Sequence, residues 1–158
     1  MADYRATVAW QARGGFRDGS YSRAHSWEFD GGAVVAASSS PNVVPLPFSD
    51  PAGVDPEEAL VASVSSCHML WFLALAQKAG FDVASYRDEA HGTMGRDERG
   101  KISVTRITLT PAIAFADRKP SDAELSALHD QAHESCFIAN SLRTEVVVGD
   151  AKAADAAA

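Results

Sequence analysis

Apolar residues crowd one stretch of the chain and alternate with polar ones in several others. From Asp55 to Phe81 they fall at helical spacing, and Leu60, Val61, Val64, Leu70, Trp71 and Leu75 cover most of the wheel. Asp55 is a good N-cap, Pro56 suits the first helical position, and Glu58 stands where a capping box needs it. Gly80 can end the helix in the left-handed conformation. A helix that is apolar nearly all round is expected to be buried nearly all round. Upstream, Tyr4–Ala12, Ser22–Phe29 and Ala33–Ala37 read as strands of an N-terminal meander, with a glycine-rich loop at 13–19 and a turn at Asp30–Gly32.

Downstream, Asp82–Met94 and Lys101–Phe115 read as strands about a charged turn at Arg96–Gly100. In the second of these the alternation changes phase near Thr105–Arg106, as a β-bulge would make it do. Ser121 and Glu124 form a second capping box, ahead of a stripe of Leu125, Leu128, Ala132 and Cys136. Phe137–Leu142 reads as a further helical turn and Glu145–Val148 as the last strand. Between the meander and the long helix, Ser38–Val54 carries four prolines and is expected to be an extended loop without regular structure. The order of elements predicts an α+β fold in one domain over residues 1–150, followed by a disordered tail at 151–158.

The 158 residues are enough for one domain with a core, and 46% hydrophobic with 22% charged residues is an ordinary globular composition. A net charge of -7 argues against a nucleic-acid partner and against docking on an anionic membrane. Polar breaks interrupt every long apolar run, and the first residues lack the pattern of a signal peptide. A cytoplasmic location is the expectation, where two cysteines are more often free or redox-active than a permanent staple.

Those cysteines, Cys67 and Cys136, admit three readings. They are small core residues, or part of a metal site with nearby histidines, or a redox pair. No four-ligand spacing is present, so no metal and no cofactor are expected. A redox pair needs one thiol held as thiolate by a cation. Arginine serves best, oriented by a carboxylate.

Three segments resemble the OsmC/Ohr family of thiol-dependent hydroperoxidases. They are Asp55-Pro56-Glu57-Glu58-Ala59-Leu60, the cysteine ten residues on in Ser65-Ser66-Cys67, and Ser135-Cys136-Phe137-Ile138-Ala139-Asn140 before the last strand. The resemblance implies an OsmC-like fold and an intertwined homodimer with its sites at the subunit boundary. It implies Cys67 as peroxidatic cysteine, Cys136 as resolving cysteine, and Glu57 as the acid that holds a catalytic arginine. Ser38–Asp55 contains no arginine, so the choice falls on Arg23, with Arg13 and Arg17 as alternatives. The implied substrate is an organic hydroperoxide, and the implied reductant a dithiol, typically on a lipoylated protein. A non-catalytic redox sensor or small-molecule binder on the same fold is the rival reading. Independently of any family, ten residues of helix rise about 15 Å, so Glu57 and Cys67 of one helix cannot share a small site.

Overall fold

The computed structural model describes residues 2–149 and the backbone of residues 152–155. The chain divides into two compact units, Met1–Ala59 and Leu60–Ala158.

In the first unit, β1 (Ala6–Ala9), β4 (His25–Phe29) and β5 (Val34–Ala37) form an antiparallel sheet in the order β1-β4-β5. The predicted meander is present, with a shorter first strand. The loop expected at 13–19 folds back as a small ribbon of β2 (Gly14–Gly15) and β3 (Ser20–Tyr21). Gly14 makes the ribbon possible. Its φ is +92°, and a Cβ there would lie 2.3 Å from the Ser20 carbonyl oxygen.

The proline-rich segment has no regular structure, as expected, but its ends are stitched together. Ser38 N–H donates to the Val54 carbonyl (3.1 Å), and Val54 N–H to the Ala36 carbonyl (2.9 Å). The buried Ser38 hydroxyl accepts from Asp50 N–H at 2.9 Å. The chain then enters α1 (Pro56–Lys78) through the predicted box. Asp55 Oδ1 accepts from Glu58 N–H (2.8 Å), and Glu58 Oε2 accepts from Asp55 N–H (3.2 Å).

In the second unit, only one stripe of α1 is fully buried: Val64, His68, Phe72 and Ala76. Burial on nearly every face is therefore not found within the single chain, where Leu70 is 61% exposed. By length and composition alone α1 could cross a membrane, but core helices pass the same test. Phe72, Ala76 and Phe81 pack with Ile113 and Phe115 and with Leu125, Leu128 and Ala132 of α2 (Asp122–Ser135). A second cluster gathers Val64, Ile107 and Leu109.

Each of the two strands expected here is divided. The first becomes β6 (Val83–Asp88) and β7 (His91–Arg96), and the second β8 (Ile102–Leu109) and β9 (Pro111–Phe115). The division comes from one contact between segments distant in the chain. Thr110 N–H donates to Asp88 Oδ1 (2.6 Å), the Thr110 hydroxyl donates to the Glu89 carbonyl (3.0 Å), and Pro111 has no N–H for a ladder. The bulge is where the phase change put it: Thr93 pairs with Arg106 and Met94 with Val104, leaving Thr105 over.

Both further helical elements expected in this half are present. The Ser121–Glu124 box opens α2, and α3 (Phe137–Asn140) is the short turn expected before β10 (Glu145–Val148). β10 pairs parallel with β8. The disordered tail is corrected in part. Lys152–Asp155 form β11, parallel to β9. Strand pairing needs only backbone donors and acceptors, so small residues suffice. The remainder of 151–158 lies outside the described residues.

Candidate active site

Cys67 is half-buried on α1, and Cys136 is 1% exposed at the junction of α2 and α3. Both thiols are free. Cys136 closes one helix and opens the next: its N–H donates to the His133 carbonyl (3.2 Å), and its Sγ accepts from Ala139 N–H (3.4 Å). Burial pushes the Cys136 thiol up. A hydrogen bond to Cys67 and the charge of Cys67 push it in the same direction. The fold thus brings the two cysteines within hydrogen-bonding reach of each other. Beside them the Trp71 and Phe137 rings meet edge to face at 5.4 Å, and Phe137 is 68% exposed.

Behind Cys67 lies a feature that the sequence reading missed. His68, 1% exposed, and His129, 4% exposed, stack at 5.3 Å between ring centroids, with His68 Nε2 3.0 Å from His129 Nδ1. Phe72 stacks on His129 at 4.6 Å between centroids. Burial lowers both imidazoles to about 4. The charge of His133 adds to the shift at His68 and Asp88 opposes it, while His68 adds to the shift at His129. Both rings are neutral at pH 7, sharing one hydrogen bond. His68 Nδ1, His129 Nε2, His133 Nδ1 and the Tyr86 hydroxyl are buried without a hydrogen-bond partner among the described residues. Tyr86 is pushed up by burial and by the charge of Asp88. The signal was there to find: His68 sits between Val64 and Phe72, and His129 beside Leu128, both on otherwise apolar stripes.

Glu57 and Arg23 lie in the first unit, where both line an open cleft of about 430 Å³ with Trp10, Phe16, Tyr21 and His25. Trp10, Phe16 and Tyr21 pack on one another at 4.9–5.7 Å. Arg23 is folded onto its own hairpin. Its Nη1 donates to the carbonyls of Gly19 and Tyr21, and its guanidinium lies 3.7 Å from the Tyr21 ring centroid. Among the described residues no ion pair joins it to Glu57. Arg13 and Arg17 are exposed and do not line this cleft. A second cleft of about 790 Å³, in the other unit, is lined by Arg96, Arg99, Ser141 and Arg143 among others and contains none of the predicted site residues. No group of three or more His, Cys, Asp or Glu suited to a metal ion occurs among the described residues.

A family model described as OsmC-like protein matches residues 49–149. An OsmC-like protein of unknown function from Vibrio cholerae is 51% identical, with a TM-score of 0.92 over 94% of this chain and 99% of that one. An organic hydroperoxide resistance protein from Legionella pneumophila is 17% identical, with a TM-score of 0.65 over 94% of this chain and 99% of that one. The organic hydroperoxide resistance protein OhrB of Bacillus subtilis is 21% identical, with a TM-score of 0.60 over 96% and 98%. At such identities the last two show likeness of fold. No curated protein matches the chain.

Proposed function

The chain belongs to the OsmC-like family, and from that premise we propose that it is a thiol-dependent peroxidase that reduces organic hydroperoxides to alcohols. The observation that carries this reading is the approach of a half-buried, free Cys67 to a buried, free Cys136. Thiolate Cys67 attacks the terminal peroxide oxygen, the O–O bond breaks, and the alcohol leaves with a proton. Cys67 is left as a sulfenic acid. Cys136 condenses with it to a disulfide and releases water, and an external dithiol, of the kind a lipoylated protein carries, reduces the disulfide again. Arg23, oriented by Glu57, is the cation that holds the thiolate.

Glu57 and Cys67 stand about 15 Å apart along one helix, so the site is assembled in a homodimer, where the start of one α1 approaches the middle of the other. The exposed Leu70 on α1 supports this assembly. Stopped-flow oxidation of the reduced protein by cumene hydroperoxide, with thiol counting, tests the chemistry. Oxidation no faster than that of a free thiol would remove the reading. Gel filtration giving only monomer would remove the shared site.

A second reading, a non-catalytic redox-sensing or small-molecule-binding protein of the cytoplasm, draws on the aromatic cleft. There Arg23 stacks on Tyr21 and leaves Glu57 unpaired by it. Binding of an apolar ligand to wild type and Cys67→Ser alike, without thiol oxidation, would favour it.

A further inference from the structure

Arg23 stands in a stretch that no strand ladder holds. Residues 22–24 lie between β3 and β4, yet their backbone is tied down from several sides. Arg23 N–H donates to the Phe48 carbonyl (2.8 Å), and Ser22 N–H to the Arg13 carbonyl (2.9 Å). The Trp10 indole N–H donates to the Ser22 carbonyl at 2.8 Å. The carbonyl of Arg23 itself lies 2.8 Å from His25 Nδ1.

Two neighbours decide which nitrogen of that imidazole carries hydrogen. The Trp27 indole N–H lies 3.0 Å from His25 Nε2. An indole nitrogen can only donate, so Nε2 accepts. With Nε2 accepting, the ring's one hydrogen is on Nδ1, where it faces a carbonyl that can only accept. Both neighbours thus require the same tautomer, and Trp27, His25 and the Arg23 carbonyl form one directed relay. His25 also lines the cleft that holds Arg23 and Glu57. The Arg23 guanidinium is bound to the Gly19 and Tyr21 carbonyls and rests on the Tyr21 ring, contacts that a rotating side chain can trade. The root of this side chain is fixed, while its tip can change partners.

We propose that His25 is a positioning residue for Arg23: held in its Nδ1–H tautomer by Trp27, it fixes the backbone from which the guanidinium reaches into the cleft. The inference rests on the peroxidase reading only in taking Arg23 as the cation that serves Cys67. The step served is Cys67 oxidation. Reduction of the closed disulfide by a dithiol does not use the arginine. A misplacement of about 1 Å in a group that serves the chemistry can cost about a hundredfold in rate, and loss of one anchor among several costs less.

His25→Asn and His25→Gln are the test, because they separate the two ring nitrogens. The amide nitrogen of asparagine reaches the place of Nδ1 and keeps a donor on the Arg23 carbonyl. That of glutamine reaches the place of Nε2 and leaves the carbonyl without one. Cys67 oxidation by cumene hydroperoxide slows about tenfold in His25→Gln and stays within about threefold of wild type in His25→Asn. Reduction of the preformed disulfide by dithiothreitol keeps its rate in both, which general damage to the fold would not allow. Two measurements need no peroxide. Long-range proton–nitrogen NMR correlations of the wild type show the His25 hydrogen on Nδ1. The Arg23 Nε–H resonance moves in His25→Gln and holds its place in His25→Asn. An Nε2–H tautomer, an Arg23 resonance unmoved in His25→Gln, or equal oxidation rates in the two variants overturns the proposal. Wild-type oxidation no faster than that of a free thiol would instead remove the peroxidase reading, and the two NMR measurements would still decide whether His25 positions Arg23.

Discussion

In the first unit Arg23 is bonded to two carbonyls of its own hairpin and stacked on Tyr21, and the buried Ser38 accepts from Asp50. In the second, four buried side-chain atoms on His68, His129, His133 and Tyr86 have no partner among the described residues, against one, Ser49 Oγ, in the first. An unpaired buried polar group costs about 1–3 kcal/mol. The thiol-bearing unit therefore gives up stability to keep imidazoles beside its cysteines, whereas the arginine-bearing unit holds its cation with replaceable hydrogen bonds. A guanidinium held in that way can exchange partners at little cost. The enclosed imidazoles of His68 and His129 hold each other by one hydrogen bond and stay neutral.

The comparison can be broken at several points. The largest effect is expected from Cys67→Ser, which lowers hydroperoxide turnover at least about a thousandfold in a coupled dithiol assay, as loss of a nucleophile does. Next come Arg23→Ala and Glu57→Gln, each costing about a hundredfold in kcat/KM. The double variant is no worse than the single ones if the pair acts as a unit, and multiplicative losses would separate them.

The third prediction concerns the buried histidines. Their ordinary value is 6.5 and burial lowers them to about 4. Between those limits the unfolded chain binds more protons than the folded one. Proton binding by the unfolded chain therefore takes nothing from the fold above pH 6.5, and stability falls as pH drops from 6.5 towards 4. Urea midpoints at pH 7 and pH 4.5 measure this loss. In the double variant His68→Leu with His129→Leu the difference between the two midpoints shrinks. The smallest effect belongs to Asp55→Ala, which removes an N-cap: about 1 kcal/mol, or about 2–4 °C in Tm by calorimetry.

What could be read from the sequence follows the range of the interactions involved. Both capping boxes join residues three apart, and the Thr105 bulge shifts an alternation within one strand, so each was legible. The breaks at Glu89–Ala90 and Thr110 were not, because they come from a contact between Asp88 and Thr110, distant in the chain. The β11 strand was hidden because its residues carry no strand preference, and its partner β9 lies far upstream. The meeting of Cys67 and Cys136 could be expected only through a resemblance, since spacing alone does not place two helices side by side. His129 was overlooked because one polar residue beside Leu128 reads like the edge of a solvent face.

The stitched ends of the proline-rich segment have a practical consequence. Ser38 and Val54 are bonded to each other whatever lies between them. The entropy of closing a loop grows only slowly with its length. Residues around Asn42–Val43, exposed on this loop, are therefore a natural place to splice in a reporter peptide or an affinity tag. Such an insert would leave the helix entry at Asp55 in its place, and it would give engineers a handle that leaves both chain termini untouched.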